Sequence, residues 1–466
     1  MSGRGREYKW LAMFTVSIGT FMSTLDASIV NVSLPAIMRS LHTDLSTVQW
    51  VVAVYLLVIT GLLLTLGRLA DLIGRKPIFI AGFAVFTVFS MSCGLSRSIY
   101  FLIASRGLQA IGAAMIMANS PAIITDAFPS RERGKALGIM GTVVSIGLTA
   151  GPALGGFLIA AAGWPLIFFI NLPIGIIGIA IAQKVLRSEP RGYEIHFDVP
   201  GALTLLISLV SVTVALSEGS EKGWSSTYVR MFFALFVVFG ALFIVRQRTT
   251  VHPLLDLDLF RNRLFAAASA SAFIAYAATF AIVFLMPFYL SQILRYSPER
   301  MGLTLTAVPL TNALIAPVSG ALSDRIGSRA LGSMGLAVAT VGLVMISALG
   351  SSATQLQVVG ALVVAGLGSA VFQAPNSSAI MGSVPIGMLG IAAGMVATMR
   401  NLGMVTGVAV SSALYVSLSL RYAEHVGATQ ASVLAFRGAY LAAAAICAVG
   451  VLTSATRGPR REMVSG

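Results

Sequence analysis

Charge is what this chain has least of. Asp, Glu, Lys and Arg make up 10% of its 466 residues, against about 25% in a soluble domain. So few charges cannot cover a water-soluble body of this length, which excludes a soluble enzyme or regulator. The four histidines, His42, His196, His252 and His425, all fall between apolar runs, so no buried imidazole relay is available. Cysteine is equally scarce. Cys93 and Cys447 each sit inside an apolar run, with neither metal-ligand spacing nor a disulfide framework. No G-x-x-x-x-G-K-[ST] occurs, which argues against ATP coupling through this chain. The longest polar stretches, 187–198 and 246–263, are too short for a catalytic domain. The chain reads as a non-enzyme without metal or organic cofactor.

What is abundant is apolar. Hydrophobic residues are 57%, mean hydropathy is +0.89 and 46 residues are glycine, a composition that suits membrane helices. Fourteen apolar runs follow one another from 10–35 to 437–455, each near the roughly 20 residues a span requires. The net charge of +14 sits in short clusters between runs, a pattern that sets membrane orientation and does not bind nucleic acid. With an even number of spans, 21 Lys and Arg lie on the side shared by the termini and 8 on the other, Arg106 and Arg400 being inside runs. Both termini are therefore expected in the cytoplasm of a plasma (inner) membrane protein. The basic N-terminus runs into the first span without a cleavage-like site and reads as retained.

An internal repeat is visible. Gly67-x-Leu69-x-Asp71-x-x-Gly74-x-Lys76 returns as Gly320-x-Leu322-x-Asp324-x-x-Gly327-x-Arg329, every position offset by 253. The first copy follows run 2 and the second run 10, so two six-span halves need two further spans between them. Runs 7 and 8 fit. The expected organisation is an N-terminal six-helix bundle over 1–190, two inserted helices with linkers over 191–262, and a C-terminal six-helix bundle over 263–466.

The segment GRLADLIGRK, 67–76, resembles the cytoplasmic loop motif of the major facilitator superfamily, and it occurs twice in corresponding places. Leu25–Pro35 looks like the first-span signature of that superfamily's fourteen-span drug:proton antiporter branch. Arg106, Gln109 and Gly112 are similar to the fourth-span motif, with Ala110 where glycine is usual. Gly147, Gly151, Pro152, Gly155 and Gly156 match the fifth-span antiporter pattern. Trp164–Phe168 with Asn171, Pro173 and Gly175, then Phe372, Gln373, Pro375 and Asn376, then Arg400, Asn401 and Gly403, resemble further segments of the branch. The resemblance implies the all-α major facilitator fold, and transport by alternating access.

Of the acidic residues, Asp26 alone lies well inside a run. An intramembrane charge costs at least about 2.5–3.5 kcal/mol on insertion scales and marks function by default. Burial disfavours its charged form and a nearby cation favours it, a competition that suits a proton carrier. Alternatively, Ser23, Thr24 or Ser28 hold it by hydrogen bonds and it merely shapes the helix. Arg106 cannot shed its charge. The family fold implies that it partners Asp26, directly or through water; otherwise it snorkels or clamps backbone carbonyls. By the same resemblance Asp71, Arg75 and Asp126, with Asp324 in the second copy, form gating contacts, unless they are ordinary loop-end ion pairs.

Gly147, Gly151, Gly155 and Gly156 read as one smooth helical stripe beside the bend at Pro152, serving either gating or close packing. Phe273, Tyr276, Phe280, Phe284 and Phe288 share one face of run 9. This face contacts substrate, or else packs against protein or lipid. Asn31, Gln373 and Asn376 are candidate polar contacts. Arg400 either supports a set of helix carbonyls or binds an anionic substrate.

The expected function is a monomeric, proton-gradient-driven antiporter that exports small amphipathic drugs or metabolites across the lipid bilayer. With one deep carboxylate it should handle neutral or monocationic molecules better than dications. An exporter of lipid-like molecules on the same fold is the alternative; an uptake symporter or a non-transporting sensor fits the antiporter motif less well.

Overall fold

In hydrocarbon a backbone must satisfy its own hydrogen bonds, so apolar runs of this length become helices. The computed structural model describes the backbone of residues 3–129, 132–187, 198–251, 253, 257–384 and 389–456. Among these residues there are helices and no strand. Fourteen of the helical segments are long and apolar enough to cross a membrane, as the fourteen runs predict.

The spans are α1 (Gly3–Ser40), α2 (Trp50–Ile73), α3 (Arg75–Gly94), α4 (Ile99–Ala127), α5 (Arg133–Ala162), α6 (Asn171–Val185), α7 (Val199–Lys222) and α8 (Thr227–Thr249). They continue with α9 (Arg263–Phe288), α10 (Ala307–Ile326), α11 (Ser328–Ser347), α12 (Gln355–Met381), α13 (Leu389–Ala423) and α14 (Ala428–Ala455). Short helices precede four of them, Leu45–Val48 before α2, Leu166–Phe169 before α6, the 3-10 helix Leu257–Arg261 before α9 and Pro298–Leu305 before α10.

The two copies of the repeated motif make the same turn. Gly74 between α2 and α3 has φ +106° and Gly327 between α10 and α11 has φ +92°, a backbone that side chains with a Cβ rarely adopt. Other helix starts carry capping side chains. Asp44 accepts from Thr47 N at 2.8 Å, Ser226 caps α8, and Thr354 with Gln357 forms a capping box on α12.

The chain divides into two compact units. The first takes in Met1–Arg246, Thr250–Leu254 and Met286–Pro309; the second takes in Gln247–Thr249, Leu255–Leu285 and Leu310–Gly466. The division falls inside α9. The expected boundary at 190/191 lies outside the described residues. Within the first unit, α7 packs on α2, a Cβ at Gly61 meeting Leu206 Cδ1 at 2.9 Å. α7 also ties to α8 through Ser208 Oγ donating to Phe236 O at 3.1 Å. α8 packs along one face, where Val229, Phe243 and Gln247 are buried, and leaves most of its other residues exposed. In the second unit Phe265, Ala268, Ala379, Ile380, Val384 and Met395 form a core at one end of α9, α12 and α13.

Candidate functional site

The first unit has a polar centre. α1 carries Asp26 in mid-span, and the carboxylate is completely enclosed at 0% exposure. Arg106 on α4 donates from Nη1 to Asp26 Oδ2 at 2.6 Å. Gln109, one turn further along α4, donates from Nε2 to Oδ1 at 3.1 Å, and Asn171 at the start of α6 donates to the same oxygen at 2.9 Å. Arg106 is itself fully engaged. Its Nη1 also reaches Gln109 Oε1 at 2.7 Å, its Nε donates to Val51 O at 3.2 Å, and its guanidinium lies 4.0 Å over the Tyr55 ring. Ser90 on α3 closes the periphery, accepting from Asn171 at 3.0 Å and donating to Phe168 O at 2.8 Å.

Three helices thus meet on one carboxylate, and α2 and α3 join the cluster through Arg106 and Asn171. Local sequence allows it. Gly112 on α4 lets α3 approach until a Cβ there would lie 2.6 Å from Gly82 O, which sets Ser90 within reach of the α4 and α6 polar groups. A buried ion pair is stable only when its remaining donors and acceptors are also satisfied, and Gln109 and Asn171 supply that. The contact between Asp26 and Arg106 is direct. The serines and threonine named as alternative partners turn elsewhere: Ser23 Oγ donates to Gly19 O, Thr24 Oγ1 to Thr20 O and Ser28 Oγ to Leu148 O. Gln109 and Asn171 were legible as motif positions but not as carboxylate ligands. The available signal is the three-residue spacing of Gln109 from Arg106, which places both on one helical face.

Toward the loop ends, Arg75 pairs with Asp126, the latter half-exposed, and Arg75 also donates to Ala122 O at 3.4 Å. The side chains of Asp71 and Asp324 lie outside the described residues. A contact not foreseen is Lys9 with Glu132, joining α1 to the start of α5.

The glycine stripe on α5 faces two ways, not one. Gly147, Gly151 and Gly155 meet α1, a Cβ at Gly151 falling 2.5 Å from Ser28 Cβ. Gly156, about 100° further round, meets the backbone of Pro298 and Glu299, and Gly302 meets Pro152 O. Consecutive residues cannot share one face of a helix, which is why the stripe divides. α5 runs unbroken through Pro152.

The aromatic face of α9 also divides. Phe273, Tyr276 and Phe280 are half-buried, while Phe284 and Phe288 are fully enclosed and offer no surface here. Asn31 is buried, with Nδ2 on Ala27 O at 2.9 Å and Oδ1 without a partner. Gln373 donates to Ser369 Oγ at 2.7 Å, and Asn376 is buried. Arg400, placed inside its run from sequence, is half-buried and donates from Nε to Asn401 Oδ1 at 3.4 Å.

A sequence model of the Major Facilitator Superfamily matches residues 16–270 and again 268–464. The chain belongs to the Major Facilitator Superfamily. Among the relatives of this facilitator is the "Riboflavin transporter RibZ" of Clostridioides difficile (strain 630), 36% identical over 448 residues and covering 96% of this chain and 97% of the relative. Another is the "Multidrug resistance protein Stp" of Mycobacterium tuberculosis (strain CDC 1551 / Oshkosh), 34% identical and covering 89% of this chain and 78% of the relative. Its fold is shared by the crystal structure of a bacterial homologue of the human lysosomal transporter Spinster in an inward-facing, occupied conformation. There the TM-score is 0.72 at 15% identity, over 97% of both chains. The facilitator is a multi-pass membrane transporter.

Proposed function

We propose that this transporter exports small amphipathic drugs or metabolites in exchange for protons, by alternating access, with Asp26 as the proton carrier and Arg106 as its electrostatic partner. It works in the plasma (inner) membrane with both termini cytoplasmic, and the proton gradient is its energy source. The observation that carries the reading is the enclosed carboxylate held by Arg106, Gln109 and Asn171. A proton on Asp26 removes the charge that neutralises Arg106 and puts a hydrogen where Oδ2 accepted one. The pair must then loosen, and with it the packing of α1 on α4. Proton state and helix arrangement are thereby one variable. Because Asp26 is sealed here, proton exchange requires the bundle to open, which ties it to the transport cycle. The names of relatives in which drug resistance and a flavin appear support cargo of flat, amphipathic shape.

The test uses reconstituted vesicles without ATP. Substrate addition to the wild type should release protons, and Asp26→Asn should abolish that release while substrate exchange without a gradient persists. Undiminished proton coupling in Asp26→Asn would remove the residue from the mechanism. Lipid movement with no proton signal would favour the lipid-exporter reading.

A further inference from the structure

Arg106 and Arg400 both lie inside spans, and they are used in opposite ways. Arg106 has acceptors at Nε and Nη1 and the Tyr55 ring over its plane. Arg400 has much less. It stands eleven residues into α13, about 16 Å along the helix and within the span Met395–Ala423. Its single hydrogen bond among the described residues is the long one to its chain neighbour Asn401. No described carboxylate lies within ion-pair distance of it. Asn401 is 3% exposed and its Nδ2 has no acceptor. Tyr276 on α9 packs against α13 at Gly403, three residues beyond Arg400, and its hydroxyl makes no hydrogen bond among the described residues. α9 and α13 are held close at this level, a Cβ at Gly403 falling 2.8 Å from Tyr276 Cβ.

A guanidinium and a carboxamide nitrogen therefore adjoin in the second compact unit, and the helix that carries the Tyr276 phenol packs beside them. All are donors, and none has an acceptor beyond the one long bond. Of the three it is the Asn401 nitrogen that is enclosed, and a buried donor without an acceptor costs about 1–3 kcal/mol, more beside a charge. Snorkelling of Arg400 would relieve the guanidinium but leave the enclosed Asn401 amide unpaired. The missing element is an acceptor with negative charge, and a carboxylate fits the guanidinium fork in two-point contact.

We infer that Arg400, Asn401 and Tyr276 form a subsite for an acidic group, a carboxylate or an equivalent oxyanion, on the molecule this transporter exports. The inference rests on the exporter reading above and deepens it. It narrows the cargo from amphipaths in general to acidic or zwitterionic ones.

Equilibrium binding without any gradient tests the subsite separately from the transport mechanism. The probes are rhodamine B, whose carboxylate is free, and rhodamine 6G, which has a similar ring system with the carboxyl esterified. Purified full-length protein is placed in vesicles of phosphatidylcholine alone, and binding is read by fluorescence polarisation. The wild type should prefer rhodamine B. Arg400→Gln should weaken rhodamine B binding about tenfold or more and leave rhodamine 6G within about twofold, and Arg400→Lys should restore part of the loss. If Arg400→Gln does not fold, Tyr276→Phe and Asn401→Ser should each weaken rhodamine B alone. Equal affinity of the wild type for both dyes, or an acid preference that survives Arg400→Gln, overturns the subsite. So does displacement of rhodamine B by added phosphatidylglycerol, which would give the site to a lipid phosphate. Acid-selective binding together with proton-silent transport would sink the antiport mechanism and leave the subsite standing.

Discussion

Asp26 and Arg106 are each stable only because of the other. Replacing one partner strands a charge with 0% or 1% exposure, at a cost of about 3–5 kcal/mol. Replacing both removes the stranded charge, so the double variant Asp26→Asn/Arg106→Gln should be more stable than the sum of the single losses implies. Thermal unfolding in detergent of the four proteins measures this. Additive losses would mean that the pair is not coupled. A second carboxylate behaves differently because it lies outside the spans. Asp44 accepts from Ser46 Oγ at 2.6 Å and from Thr47 N and Oγ1. Partial burial pushes its ionisation up, but these hydrogen bonds outweigh it and hold the group below its ordinary value of 3.8. A depressed folded value means the cap is at full strength above pH 3.8 and weakens as pH falls through the folded value. Asp44→Ala should cost about 0.5–2 kcal/mol at neutral pH, and the difference from wild type should shrink in acid melts. A difference that is constant with pH would exclude the ionised cap.

At the scale of elements, α5 packs through what it lacks. Gly151 opposes Ser28 on α1, and Ser28 Oγ donates across to Leu148 O at 2.9 Å. Gly151→Ala inserts a methyl group where the space is already taken, at about 1–3 kcal/mol of overpacking. It should lower thermal stability and slow transport more than it weakens substrate binding, because α5 touches both α1 and the Pro298–Leu305 helix. Unchanged transport with unchanged stability would mean that the two helices separate freely at this point. What was legible here is instructive. Spacing found the glycines, and it could not tell that Gly155 and Gly156 serve different neighbours, since that depends on which helices flank α5. The Phe284 side chain makes the same point: periodicity put it on a face with Tyr276, and packing enclosed it.

Across the whole molecule, the spans were legible from length and hydropathy because a bilayer forces each apolar run into a helix. The repeated turn was legible too, since Gly74 and Gly327 carry the same constrained backbone. The chemistry is not repeated. The position 253 beyond Asp26 is Thr279, and the one 253 beyond Ser90 is Leu343; both line a small, mainly apolar cavity with Ala339, Ala365, Ser369 and Cys447. The scaffold is repeated, while the enclosed carboxylate–guanidinium pair belongs to one unit alone. No local pattern announces that, because Gln109 and Asn171 become ligands only through contacts more than 80 residues apart.

Orientation remains a matter of charge counting, and it can be decided directly. The 21-to-8 distribution of Lys and Arg places the turn between α11 and α12 outside and the segment before α9 inside. Ser351 in that turn and Arg261 in that segment are both exposed. The native thiols, Cys93 and Cys447, are buried, so a single introduced cysteine reports with little background. In intact cells a membrane-impermeant maleimide should label Ser351→Cys and spare Arg261→Cys until the membrane is opened. The reverse pattern would put the cationic loops on the outer face. Protons entering down their gradient would then meet the Arg75 and Asp126 end of the first unit before the rest of the bundle, and the export direction proposed here would be inverted.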